Sequence, residues 1–146
     1  MIEPLPRSFF GLSADLVAPE LLGHFLVRQE AGGLTGGLIV ETEAYLVGDE
    51  ACHSFRGMTA RNRSMFGPPG HAYVYLIYGM HFCFNTVCQP EHCGEAVLVR
   101  AIEATWGQTR MRQRRGGVED KQLTSGPAKL CAALDIKRDF DGVDLC

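Results

Sequence analysis

Glu41, Glu43 and Tyr45 alternate along the run Leu38-Ile39-Val40-Glu41-Thr42-Glu43-Ala44-Tyr45. A period of two puts them, with Ile39, on one face of a strand, and sends Leu38, Val40, Thr42 and Ala44 to the face expected to meet the core. Like charges two apart on one sheet face repel. Two readings follow: a solvent-facing strand, or a carboxylate lining a pocket as a general base. Aromatic residues crowd the same region, with Tyr45, His53, Tyr73, Tyr75 and Tyr78 in one short stretch of chain. Tyr75 and Tyr78 are three apart, so on a strand they point to opposite faces. One can line a pocket while the other projects from a hairpin tip, where an unburied tyrosine is suited to wedge between stacked bases.

Charge distribution adds a third feature. The 146 residues carry 14 basic and 17 acidic side chains, for a net charge of −3. The arginines Arg56, Arg61, Arg63, Arg100, Arg110, Arg112, Arg114 and Arg115, however, lie in residues 51–115 against only Glu91, Glu95 and Glu103. Arginine is the fork-shaped phosphate ligand, and a local basic field serves nucleic-acid contact whatever the global sum. A carboxylate near aromatic walls, a wedge and arginine clamps together describe base-flipping chemistry. No lysine precedes Lys121, which disfavours a Schiff base at the acidic strand and leaves hydrolysis by an activated water as the simpler reaction.

The elements that must position these residues can be read in outline. Ser13-Ala14-Asp15 is expected to cap a helix whose apolar residues Leu16, Leu21, Leu22, Phe25 and Leu26 follow a 3.6 period, with Pro19 in its first turn or opening a second short helix. Gly32-Gly33 and Gly36-Gly37 are expected to bracket a turn. Residues 46–72, rich in glycine and proline, read as a long functional loop. Strands Tyr73–Tyr78 and His81–Val87 form a hairpin around Gly79-Met80, and Ala96–Ile102 is a further strand. An arginine-rich helix is expected from about Trp106 to Arg115. The last helix starts at Thr124-Ser125-Gly126-Pro127 with a hydroxyl cap and buries Leu130, Cys131 and Leu134. The pattern is α+β with a mostly antiparallel sheet.

Length and composition suit one domain spanning 1–146. No stretch approaches the roughly 20 apolar residues of a membrane span, and Met1-Ile2-Glu3-Pro4-Leu5-Pro6-Arg7 lacks the basic and apolar pattern of a signal peptide. A cytoplasmic location, on the nucleoid or in the nucleus according to the host, is expected. Without an oxidising compartment the six cysteines read as free thiols. Cys83, Cys88 and Cys93 with His92 are spaced too widely for a zinc knuckle, so no metal and no cofactor is expected.

Several segments together resemble the alkyladenine (3-methyladenine) DNA glycosylases: Ile39–Leu46, His53-Ser54, Arg61–Phe66, Tyr73–Asn85, Val97–Ala101 and Ser125–Leu130, in family order and over nearly the whole chain from Phe9. The resemblance implies a single-domain α+β fold with a curved, mostly antiparallel, partly open barrel-like sheet, peripheral helices and a protruding β-hairpin. Glu43 matches the general base that deprotonates a water for attack on the deoxyribose C1′. Tyr45 and His53 match residues on one side of the flipped base, Tyr75 the aromatic on its other face, and Asn85 a pocket side chain that disfavours the exocyclic amine of guanine. Tyr78 matches the intercalating hairpin residue, Arg100 a phosphate and active-site contact, and Lys129 a backbone contact. The implied partner is double-stranded DNA containing alkylated bases, bound by a monomer. The implied reaction is monofunctional release of 3-methyladenine, extending to 7-methylguanine and hypoxanthine. Family members continue beyond the position of Cys146, His81 stands where an aromatic is common, and Cys52 directly precedes His53. A non-catalytic lesion-binding module is the competing reading.

Overall fold

The computed structural model describes residues 2–146. Five strands, β1 (Phe25–Glu30), β2 (Gly33–Tyr45), β3 (Ala72–Ile77), β4 (His81–Cys88) and β5 (Glu95–Trp106), form one sheet in the order β1-β2-β5-β4-β3. Every neighbouring pair is antiparallel, and the sheet curls into a half-barrel. Helices α1 (Arg7–Phe10), α2 (Ala14–Leu21), α3 (Gln108–Arg114) and α4 (Pro127–Leu134) complete an α+β domain. None of the described helices is long and apolar enough to cross a membrane.

Alternation along β3, β4 and β5 divides the interior in two. Val74, Phe84, Cys88, Val97 and Val99 join the helix-covered core with Leu21, Met111, Leu130 and Leu134. Tyr73, Tyr75, Cys83, Val87, Ala96 and Leu98 point the other way and pack with Cys52 and Met65 from the long loop. That loop therefore roofs the tyrosine-bearing side of the sheet, with a 3-10 turn at Arg63–Phe66 as its inner anchor. Cys83 and Cys88 face opposite sides of β4 and cannot share a metal.

The strand carrying the carboxylates departs from simple alternation. Register shifts break the β2–β5 ladder between Ile39 and Glu41 and again between Glu41 and Thr42. Ile39, expected beside Glu41, is instead buried in the helix-covered core, and Val40, expected inside, is exposed. An extra residue in a bulge moves everything beyond it to the opposite face. Past the bulge Thr42 donates to the Ala18 carbonyl of α2 at 2.8 Å and Ala44 packs on the helical core, leaving Glu43 and Tyr45 for the tyrosine side.

Five other expectations are corrected. Helix α2 ends at Leu21 and Phe25 opens a strand, because Gly23 turns the chain at φ +88° and donates to Ile39, the usual glycine stop of a helix. Pro19 sits in the second half of that helix, which begins at Ala14. Gly36-Gly37 lies within β2: a Cβ on Gly36 would fall 2.1 Å from the Leu26 carbonyl oxygen, and one on Gly37 2.0 Å from that of Glu103. Finally, Trp106 ends β5 rather than starting α3, and Thr124 does not cap α4, since its hydroxyl donates to the Ile102 carbonyl.

Candidate active site

The end of β2, the middle of β5 and the β3–β4 hairpin bring most of the predicted site residues together. Tyr45, His53, Tyr75 and Asn85, with Met65 and Tyr73, line a small, closely packed hollow with no room for a water molecule between the side chains. The Tyr45 and His53 rings are within 26° of parallel with centroids 6.4 Å apart. His53 meets Tyr75 edge-on at 4.3 Å. Tyr45 and Tyr75 thus flank the His53 ring, and the three side chains close the hollow between them.

Hydrogen bonds fix the walls. His53 Nδ1 and the Tyr73 hydroxyl are 3.0 Å apart. Burial, and then the Arg61 charge, lower the His53 pKa, so the imidazole is neutral near pH 7 and one ring nitrogen remains an acceptor. Burial pushes the Tyr73 phenol up, which keeps that hydroxyl protonated. Asn85 is fully buried and its Nδ2 donates to the Tyr73 carbonyl at 3.1 Å, which turns its Oδ1 away from that strand.

Glu43 stands two residues before Tyr45 on the same face. Its carboxylate and Glu41's, which should repel, are joined by Arg100: Nη1 donates to Glu43 Oε2 at 2.7 Å and Nε to Glu41 Oε1 at 2.9 Å. Hydrogen bonding to Glu41, then the Glu43 charge, raise the Arg100 pKa further. Arg100 engages one Glu43 oxygen, and the side chain stays 44% exposed. Burial, then the adjacent Glu43 charge, push the Tyr45 phenol up. Aromatic faces and a partly exposed carboxylate therefore share one side of the sheet.

Tyr78 is not on β3. The strand ends at Ile77, and Tyr78 with Gly79, rather than Gly79 with Met80, forms the centre of the turn. Its φ is +51°, and its side chain is 89% exposed. Lys129 is not brought to the hollow: it stands on α4, across the sheet, with Nζ donating to Gln122 Oε1 at 2.6 Å. The apolar cavity of about 360 Å3 between β1 and the amino-terminal segment is also on the helical side, lined by Phe25, Leu26 and Ile39, and shares no residue with the hollow.

The model of the methylpurine-DNA glycosylases matches residues 8–146. The chain belongs to that family. Family membership makes it a DNA glycosylase, an enzyme of DNA repair. Relatives named "Putative 3-methyladenine DNA glycosylase" agree over most of its length. The protein from Carboxydothermus hydrogenoformans is 51% identical over 141 residues, covering 97% of this chain and 74% of the relative. Those from Rhizobium meliloti and Methanoculleus marisnigri are 55% and 53% identical, covering 94% and 97% of this chain and 70% and 73% of the relatives.

Two buried polar residues that hold the glycosylase site had no role in the sequence reading. Asn62 Nδ2 donates to the carbonyls of His53 (2.9 Å) and Gly57 (3.0 Å), while its Oδ1 accepts from the Thr59 amide, so one side chain folds the loop that carries His53. Glu95 accepts from the Ala14 amide at the start of α2 (3.0 Å) and from the Val47 amide just past Tyr45 (3.1 Å). An acid directly abutting the apolar run Ala96-Val97-Leu98-Val99 was the available signal.

The arginine-rich helix, expected to supply phosphate contacts, is instead committed internally. Glu30 meets Arg114 at 2.5 Å and Arg110 at 3.5 Å, Arg112 pairs with Asp120 at 2.9 Å, and Arg115 donates to the Leu123 carbonyl. The Arg114 hydrogen bonds pull the Glu30 pKa from its ordinary 4.5 down to about 2. A carboxylate depressed on folding stabilises fully above its unfolded pKa and loses that contribution as pH falls through the folded one. The unfolding free energy is accordingly expected to drop between about pH 4.5 and pH 2. Glu30→Gln should flatten that limb in urea titrations at stepped pH.

Proposed function

We propose that the chain excises 3-methyladenine from duplex DNA, acting as a monomer in the cytoplasm or on the nucleoid. The damaged nucleotide is turned out of the helix, and the rings of Tyr45, His53 and Tyr75 part to receive its base. Methylation at N3 or N7 makes a purine cationic, which strengthens its attraction to electron-rich aromatic faces. The Tyr78 side chain fills the gap left in the stack.

Chemistry then needs little from the protein beyond position and charge. Water gives a proton to the free oxygen of Glu43 as its own oxygen bonds C1′. The electron pair of the C1′–N bond leaves with the base and neutralises it. The cationic purine is already a good leaving group, so no strong general acid is required, and 7-methylguanine fits the same scheme. Neutral hypoxanthine would need protonation on departure. The transition state is oxocarbenium-like, and the Glu43 charge stabilises it electrostatically. Arg100, shared with Glu41, holds Glu43 in orientation while engaging only one of its oxygens.

The observation that carries this reading is a half-exposed carboxylate on the same strand face as the tyrosine hollow, two residues from Tyr45. The test is incubation with duplex DNA containing 3-methyladenine. Free base should appear while the strand stays intact until alkali is added. Nicked strands without alkali, or bound lesion without free base, would contradict it.

A further inference from the structure

We infer that the groove between the β3–β4 turn and the 3-10 turn Arg138–Phe140 is a phosphate track, in which Arg61 and Arg138 grip the DNA strand beside the extruded nucleotide. The inference rests on the function proposed above and names the surface that function uses.

Arginine pairing narrows the candidates, and a shared groove selects among them. Arg7 pairs with Asp144 at 2.7 Å, Arg28 lies within reach of Glu30 and Asp135, and Arg100, Arg110, Arg112 and Arg114 are each held by carboxylates. Arg115 spends its donors on carbonyls. Among the described residues Arg56, Arg61, Arg63 and Arg138 also have no carboxylate within ion-pair distance, and of these Arg61 and Arg138 line one groove of about 590 Å3. Tyr75, Leu76, Tyr78 and Gly79 form its other wall, so the groove runs from the rim of the hollow to the exposed tyrosine of the turn.

The chemistry of the lining suits a phosphodiester. Arg61 Nη2 donates to the Leu76 carbonyl at 2.6 Å, which anchors the guanidinium and leaves its remaining donors for a ligand. Its positive charge reaches the hollow, where it contributes to the lowered His53 pKa. Asp141 also borders the groove and would oppose an anion, but both of its oxygens are occupied: Oδ1 accepts from the Val74 amide (2.9 Å) and Oδ2 from the Ser64 hydroxyl (2.8 Å). A planar guanidinium whose N–H groups are not claimed by a carboxylate is the ligand geometry that phosphate oxygens select.

The experiment is a salt titration of binding to a duplex carrying a tetrahydrofuran abasic-site analogue. Wild type, Arg61→Ala, Arg138→Ala, the double variant and Arg112→Ala are compared. Each phosphate contact contributes about 0.9 to the slope of log K against log salt. The double variant should therefore lose about 12-fold less affinity than wild type on going from about 50 to about 200 mM salt, and each single variant about 3.5-fold less. Arg112→Ala, whose guanidinium faces Asp120, should keep the wild-type slope. Arg138→Ala breaks no internal bond and guards against a folding artefact at Arg61. An unchanged slope in the double variant, with wild type binding the lesion duplex, overturns the track alone. A wild type with no affinity for the lesion duplex overturns the track together with the proposed function.

Discussion

Glu43→Gln is expected to lower single-turnover release of 3-methyladenine by about a thousandfold, within the 10²–10⁴ range of a general acid or base, while leaving affinity for an abasic-site duplex near that of wild type. Glutamine keeps the size of the side chain and can still accept from Arg100, but it neither takes a proton nor balances positive charge on the sugar. The fold should not suffer, since exposed ion pairs contribute only about 0–1 kcal/mol and Arg100 retains Glu41 at 2.9 Å. The checks are free-base quantification under enzyme excess and a binding titration on the same preparation. Loss of both rate and binding would point to a damaged site, and retention of both would remove Glu43 from the chemistry.

Tyr78→Asn is expected to make the protein more stable and less active. A non-glycine residue in the left-handed region costs roughly 1–2 kcal/mol, and a tyrosine at φ +51° with 89% of its surface exposed gains no packing in return. Asn followed by Gly79 is the dipeptide that a turn with two positive φ values prefers. The substitution should therefore raise stability by about 1 kcal/mol, or about 2–4 °C in Tm for a chain of this size. Removing the ring should also forfeit about 1–3 kcal/mol of stacking against bases, lowering release from duplex DNA about tenfold to a hundredfold. Strain at an exposed aromatic tip is thus read as a functional feature. Thermal melts and single-turnover rates test the two halves separately. A destabilised variant of unchanged rate would contradict both.

How much was legible beforehand depended on whether a residue's partner is local. The β3–β4 hairpin and its tyrosine alternation follow from a period of two over a few residues, and Tyr73, Tyr75 and Asn85 lie on the face that this period assigns. Glu43 and Tyr45 were correctly kept together, but the company of Ile39 and Val40 was reversed by a bulge, which inserts a residue without any mark in the hydrophobic pattern. Phe25 and Leu26 fit a helical period as well as they fit β1, and only the glycine stop at Gly23 separates the two. The arginines of α3 look available along the chain, yet the carboxylate that absorbs Arg110 and Arg114 is Glu30, some eighty residues earlier. Glu95 was missed for the same reason, since its partners Ala14 and Val47 are far along the chain, whereas Asn62 bonds backbone groups of its own loop, a pattern without a mark in hydrophobic periodicity.

The half-occupied state of Glu43 matters for how the enzyme would work. A carboxylate fully enclosed by a guanidinium is a poor base, and one with no partner is poorly oriented. Division of Arg100 between Glu41 and Glu43 lies between these extremes. It also turns the repulsion between two acids on one sheet face into a three-membered charge cluster that tolerates a developing cation.

The central claim, that the Glu43 charge faces the anomeric carbon of an extruded nucleotide, is tested most directly by comparing two abasic-site mimics of matched shape. One carries a protonated pyrrolidine, which imitates the cationic sugar, and the other a neutral tetrahydrofuran. Wild type should bind the pyrrolidine duplex about a hundredfold more tightly, at the lower end of transition-state-analogue behaviour, and Glu43→Gln should bind the two nearly alike. A preference for the charged mimic that survives unchanged in Glu43→Gln would place the stabilising charge elsewhere and contradict the account.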